Sequence, residues 1–222
     1  MADIRLIEIR EEILSDNLQL AEKIRQSLSR EGVFMLNLMA SPGGGKTSLI
    51  LETIRRLRDE FRIAVIEGDI DSTVDAEKVA ALGIPAVQLR TGGACHLDAP
   101  MIRLALDGME LSAFDLLLIE NVGNLVCPAE FDTGAAMRAM ILSVPEGDDK
   151  PLKYPLMFSV CDALVINKID YLPDPGFSMA ALKKRVLKLN PDIRIFAVSC
   201  RTGEGLDGWV GWLREQIKFY KN

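Results

Sequence analysis

The sequence predicts an α/β fold, a mostly parallel sheet with helices packed on both faces. Three observations predict it. Short apolar runs alternate along the chain with segments of helical periodicity. The runs are apolar nearly throughout, as suits strands buried on both faces. The polar and glycine-rich stretches fall at the carboxyl ends of the runs, where such folds bind their ligands. With 222 residues, 49% hydrophobic and 26% charged, the chain can build one domain over 1–222 with a full core.

The elements follow in order. Residues 4–30 read as an N-terminal helix, with Leu14, Leu18, Ala21, Ile24 and Leu28 at helical spacing and Glu31-Gly32 closing it. Val33–Met39 suits a buried strand, and Lys46–Arg58 a helix. Strand Arg62–Glu67, helix Asp75–Leu82, strand Ala86–Leu89 and helix Asp98–Leu111 come next. Asp115–Glu120 and Asp162–Asn167 are two more buried strands. Helix Met179–Leu189, strand Arg194–Val198 and helix Leu206–Phe219 complete six strands.

Charge and composition exclude several classes. A net charge of −6 argues against nucleic acid or an anionic membrane as partner. No apolar run approaches the roughly 18 residues of a membrane span. The opening MADIRLIEIREEILSDN lacks the apolar centre of a signal peptide. The chain is therefore expected in the cytoplasm, its four cysteines free thiols or metal ligands.

Between the first strand and the next helix lies Ala40-Ser-Pro-Gly43-Gly44-Gly45-Lys46-Thr47-Ser48, a Walker A pattern with alanine in the first glycine position. Consecutive glycines let backbone N–H groups curl round an anion, and the helix N-terminus adds its positive end. Lys46 is expected to reach the β- and γ-phosphates and act in catalysis, with Thr47 on Mg²⁺. The fold is then a P-loop NTPase.

The preferred base is guanine, with adenine the minority reading. Asn167-Lys168-Ile169-Asp170 follows a strand, and the Asp170 carboxylate can accept both N1–H and N2–H of guanine, a pair adenine lacks. The Asn167 amide can read the O6/N7 edge while the Lys168 stem lies along the base. Ser199 and Cys200, in the loop after the sixth strand, resemble the base loop of GTPases. GTP with Mg²⁺ is the expected ligand. Glu120, in LLLIENVG, and Asp69, in EGDID, can hold Mg²⁺ or orient water. Asp71 and Asp75 crowd the same loop, and Asp69 is preferred. Gly123 lets the Glu120 loop approach a γ-phosphate. No arginine finger is evident, so slow intrinsic turnover is expected.

Cys95-His96 and Cys127 offer soft ligands suited to Ni²⁺ or Zn²⁺ near the nucleotide. They equally suit small buried hydrophobes and a surface histidine. Cys161 reads as core. Lys150 and Lys153 fall in a charged segment, EGDDKPLKYP, that reads as a loop.

In order along the chain, LNLMASPGGGKTSL, IEGD, TGGACHLDAPMI, IENVGNLVCPAEFD, SVPEGDDKPLKYPLMF and VINKID resemble the hydrogenase nickel-incorporation GTPases, the HypB family. The likeness runs from about Leu14 to the last helix. It implies a slow GTPase of the dimerising P-loop class, with Cys95, His96 and Cys127 as the nickel or zinc ligands. It also implies partners: a second copy, a zinc-containing accessory protein and the precursor of the [NiFe]-hydrogenase large subunit. Some members carry an N-terminal cysteine motif or a histidine-rich stretch. This sequence has neither, so a storage role is not expected. Rival readings are a urease-type nickel-delivery GTPase, a P-loop small-molecule kinase and a nucleotide-gated adaptor with negligible turnover.

Overall fold

A computed structural model of the chain describes residues 9–71 and 73–221. The strands are β1 (Phe34–Ala40), β2 (Ile63–Asp69), β3 (Ala86–Arg90), β4 (Leu116–Glu120), β5 (Met137–Ser143), β6 (Ala163–Asn167) and β7 (Arg194–Ala197). They form one seven-stranded sheet in the order β3-β2-β4-β1-β5-β6-β7, with every pairing parallel. The helices are α1 (Ile9–Glu31), α2 (Lys46–Leu57), α3 (Val74–Ala80), α4 (Ala99–Asp107), α5 (Cys127–Glu130), α6 (Lys150–Lys153), α7 (Pro155–Val160), α8 (Met179–Leu189) and α9 (Leu206–Lys221). No described helix is long and apolar enough to cross a membrane.

Alternation along the strands divides the core in two. Leu36, Leu38, Val65, Leu118, Ile141 and Val165 face α2 and α9, where Trp209 donates its indole N–H to Thr53 Oγ1 at 2.9 Å. On the other face Met35, Ile66, Leu117 and Ile119 pack on α1 and α4. Farther along that face, Met140, Leu142, Leu164 and Ile166 pack on α7 and α8. Each large aliphatic side chain so buried contributes about 1.5–3 kcal/mol before ordering costs.

The structure departs from the expected elements at named places. The helix expected from residue 4 is described from Ile9, and the part before it lies outside the described residues. Leu18 is exposed, and Asn17 takes its place on the inner face of α1. The reason is a pair of long-range bonds: Asn17 Nδ2 donates to Asp132 O at 2.9 Å and Oδ1 accepts from Ala99 N at 2.8 Å. Helix α4, expected to reach Leu111, stops at Asp107 with Gly108 as its cap. Strand β5 was not expected. The segment expected as a loop over EGDDKPLKYP holds α6 and the start of α7, each with a proline at its first turn. Lys153 there pairs with Asp149 one turn back. Cys161 is buried, as expected, and its thiol is pushed up by that burial.

Candidate nucleotide and metal site

Strand β1 ends at Ala40, and the chain turns through Ser41–Gly45 into α2. Gly43 and Gly45 hold φ at 74° and 102°, backbone that a side chain would strain. Gly45 also lies against the Asn167 carboxamide, where a Cβ has no room. The first N–H groups of α2 have no intrahelical acceptor, which makes the turn an anion cradle. Above it opens a cavity of 590 Å³ whose walls include Lys46, Thr47, Glu67, Asp69, Asp75 and Glu120. A second cavity of 220 Å³ is bounded by Asn167, Lys168, Asp170 and Cys200. Gly45, Ser48 and Lys168 border both, so the expected phosphate and base pockets adjoin.

The cavity expected to hold the base departs from the sequence reading at one residue. Asn167 is buried, and its amide is engaged with backbone rather than left for a base edge. Nδ2 donates to Gly44 O at 3.2 Å, while Oδ1 accepts from Lys168 N at 2.7 Å and Cys200 N at 3.3 Å. Asn167 therefore ties the phosphate turn to the loop holding Ser199 and Cys200. Lys168 donates from Nζ to Gly43 O at 2.8 Å and takes φ 61°, the one left-handed non-glycine among the described residues. Asp170 lines the smaller cavity. Ser199 Oγ donates to its Oδ1 at 2.6 Å, which fixes the carboxylate.

At the phosphate end, Thr47 Oγ1 donates to Glu120 Oε1 at 2.9 Å. Glu120 lies in register with Glu67 on the neighbouring strand. Both carboxylates are buried, and Glu67 Oε1 and Glu120 Oε2 have no hydrogen-bond partner. Burial pushes the Glu67 carboxyl up to about 9, with the Glu120 charge adding to it. Burial raises Glu120 too, opposed by the Lys46 ammonium. Two buried carboxylate oxygens without partners beside a threonine hydroxyl form a donor set that fits a hard divalent cation such as Mg²⁺. Asp69 lies at the rim, where its Oδ1 accepts from Asp71 N at 2.9 Å. Asp75, on the same wall, pairs with Lys78 at 2.7 Å, and exposed Asp71 lies outside the lining. Glu67 did not figure among the expected residues. Its signal was present: it stands two residues before Asp69, hence on the same face of a strand.

The soft ligands also converge. One ligand atom each of Cys95, His96 and Cys127 lie within 4.8 Å of one another in a single chain, and the two Sγ atoms are 3.0 Å apart. Among the described residues no other group of three or more His, Cys, Asp or Glu side chains converges in this way. The His96 ring stacks on Phe131 at 4.0 Å, and its Nδ1 is buried without a partner. Burial lowers the His96 pKa, which keeps the imidazole neutral and able to ligate. The Cys95 hydrogen bond, then burial, raise the Cys127 thiol, a penalty that a cation between the sulfurs removes. Two thiols and a neutral imidazole suit Zn²⁺ or Ni²⁺ and leave a coordination position open.

Residues 34–197 match the family model described as CobW/HypB/UreG, nucleotide-binding domain. The chain belongs to the CobW/HypB/UreG family, in its HypB group. It is 45% identical over 213 residues to the hydrogenase maturation factor HypB of Rhizobium leguminosarum bv. viciae, covering 96% of this chain and 71% of that protein. The crystal structure of the hydrogenase maturation factor HypB from Archaeoglobus fulgidus has a TM-score of 0.85 at 41% identity, over 91% of this chain and 99% of that one. That of HypB from Helicobacter pylori in complex with nickel has a TM-score of 0.87 at 40% identity, over 93% and 97%. In this HypB-family chain the nucleotide-binding domain match takes in the lining of the larger cavity, that of the smaller one except Cys200 and Arg201, and the whole Cys95–His96–Cys127 triad.

Proposed function

We propose that the chain is a GTP-hydrolysing metallochaperone that carries nickel, or zinc in its place, and assists nickel insertion into [NiFe]-hydrogenase. The observation that carries this reading is the convergence of Cys95, His96 and Cys127, with Cys127 opening α5 at the end of the loop that leaves cavity-lining Glu120. Asp170 recognises guanine by accepting its N1–H and N2–H, held for the task by Ser199. The Gly43–Gly45 turn and the start of α2 cradle the phosphates with Ser48 nearby, and Lys46 neutralises the β- and γ-oxygens. Thr47, Asp69 and Glu120 would hold Mg²⁺, which would supply Lewis-acid stabilisation of negative charge on the phosphate oxygens. Asp69, at the rim, orients the attacking water. The cargo metal is bound by the two thiolates and the imidazole.

Adjacent Cys95 and His96 supply only three ligands with Cys127, so a second copy of the chain is the natural donor of more. The active form is a nucleotide- and metal-dependent homodimer acting in the cytoplasm. Its partners are the zinc-containing hydrogenase accessory protein and the large-subunit precursor. The test is activation of hydrogenase, with urease as the comparison, in deletion cells carrying the parent chain, Cys95→Ala or Lys46→Ala. Nickel-dependent hydrogenase activity from the parent alone supports the assignment. Full activity from Cys95→Ala, or activation of urease only, contradicts it.

A further inference from the structure

Two buried asparagines, Asn37 and Asn121, bond to each other, Asn121 in the lining of the phosphate cavity, and the function as proposed uses neither. Asn121 follows Glu120 directly and is fully buried. Its Oδ1 accepts from Leu97 N at 3.0 Å and from Val122 N at 2.9 Å. Its Nδ2 donates to Asn37 Oδ1 at 3.1 Å, and Asn37 sits mid-strand in β1, also fully buried. One carboxamide thus joins the central strand, the Glu120 loop and the residue after His96.

Neighbouring contacts make that junction stiff. Asn124 Nδ2, farther along the loop, donates to Cys95 O at 3.2 Å. The Leu97 side chain presses on Gly68, between Glu67 and Asp69: a Cβ on Gly68 would fall 2.6 Å from Leu97 Cδ1. At its other end the loop touches the phosphate turn, where a Cβ on Gly123 would fall 3.0 Å from Pro42 N. Residues 120–124 therefore contact the phosphate turn on one side and grip Cys95 and Leu97 on the other.

We propose that Asn121 is the positioning residue through which occupancy of the phosphate cavity sets the geometry of the Cys95–His96–Cys127 triad. The proposal rests on the nucleotide and metal reading given above. Filling the cavity with a γ-phosphate and its cation acts on Glu120. Asn121, one peptide away, cannot shift and hold both Asn37 and Leu97 unless Leu97 follows. Letting go of either leaves a buried polar group unpaired. Leu97 carries His96 with it through one peptide bond, while Asn124 carries Cys95. Such a junction has different contacts in the two nucleotide states, which is what coupling between two sites requires.

The experiment is Ni²⁺ affinity of the full chain, by competition with a chromophoric chelator, in GDP–Mg²⁺ and in a non-hydrolysable GTP analogue with Mg²⁺. The parent is expected to show affinities that differ about fivefold or more between the two states. In Asn121→Ala nickel still binds, and the ratio falls to within about twofold of unity. An undiminished ratio in a folded Asn121→Ala protein overturns the proposal. A ratio of one in the parent overturns it too, while leaving the proposed function standing if that parent still binds nickel and hydrolyses GTP. Failure of either of those two activities would instead count against the proposed function itself.

Should Asn121→Ala not fold, Asn37→Ala removes only the Nδ2 anchor and is expected to shrink the ratio. Hydrogen exchange of the Leu97 amide in the parent gives an independent reading. Its protection should differ between the two nucleotide states, and equal protection would overturn the proposal.

Discussion

Asp170 and Glu67 show how single side chains are prepared for opposite jobs. Asp170 is kept as an oriented acceptor by the Ser199 hydroxyl. Asp170→Asn should weaken GTP binding by about 2–4 kcal/mol and raise tolerance for xanthosine triphosphate, because an amide reverses part of the donor pattern and leaves buried groups unpaired. Titration calorimetry with both nucleotides checks it, and unchanged GTP affinity would remove Asp170 from the base pocket. Lys46→Ala should abolish phosphate release while leaving the thermal transition near that of the parent, since the ammonium faces a cavity and not the apolar core. Glu67 is the reverse case, a carboxyl that burial holds in its neutral form up to about 9. The folded state therefore binds a proton that the unfolded state releases above 4.5, the ordinary glutamate value. Stability of the ligand-free protein should fall as pH rises through that window, from 4.5 towards 9. Glu67→Gln should flatten that slope in thermal melts, and a slope identical to the parent's would show that Glu67 is not its source.

At the scale of elements, polar contacts to the 132–135 segment and the start of α4 fix the helix α1 beside the apolar packing of Ala21, Ile24 and Leu28. Arg25 donates to both oxygens of Asp132 at 3.0 and 2.8 Å. Gly134, with φ 80°, lets the 132–135 loop run close under the helix, where a Cβ would fall 2.8 Å from Ala21 O. Gly134→Ala should cost about 2 kcal/mol or more in denaturant unfolding, through strain and collision together, with hydrolysis per folded molecule retained. Polar contacts of this kind also explain where the sequence was hard to read. Periodicity alone sets Leu18 on the inner face, and only the distant partners Asp132 and Ala99 show why Asn17 is there instead. Strand β5, MRAMILS, holds two methionines and only one β-branched residue, so neither propensity nor periodicity separates it from a helix. Motifs with fixed local chemistry could be placed from the sequence: the Gly43–Thr47 turn, Asp170 and Glu120 all stand at or just beyond strand ends. Asn121 and Glu67 were not so placed, because their partners come from other strands and other loops.

For the whole molecule, an all-parallel sheet gathers the ends of β1, β2, β4 and β6 along one edge, and the phosphate turn, the carboxylate pair and the base loop follow from that arrangement. The metal triad adjoins this edge because the segment after β3 and the loop after β4 meet there. The central claim is that nucleotide state and metal act on the same assembly. Sedimentation of the parent and of Cys95→Ala, with and without a non-hydrolysable GTP analogue over a series of nickel concentrations, tests it most directly. The account predicts a parent dimer favoured by nucleotide and strengthened by nickel, and a Cys95→Ala protein that dimerises with nucleotide but ignores the metal. A parent that stays monomeric throughout, with nickel binding indifferent to nucleotide, would contradict it.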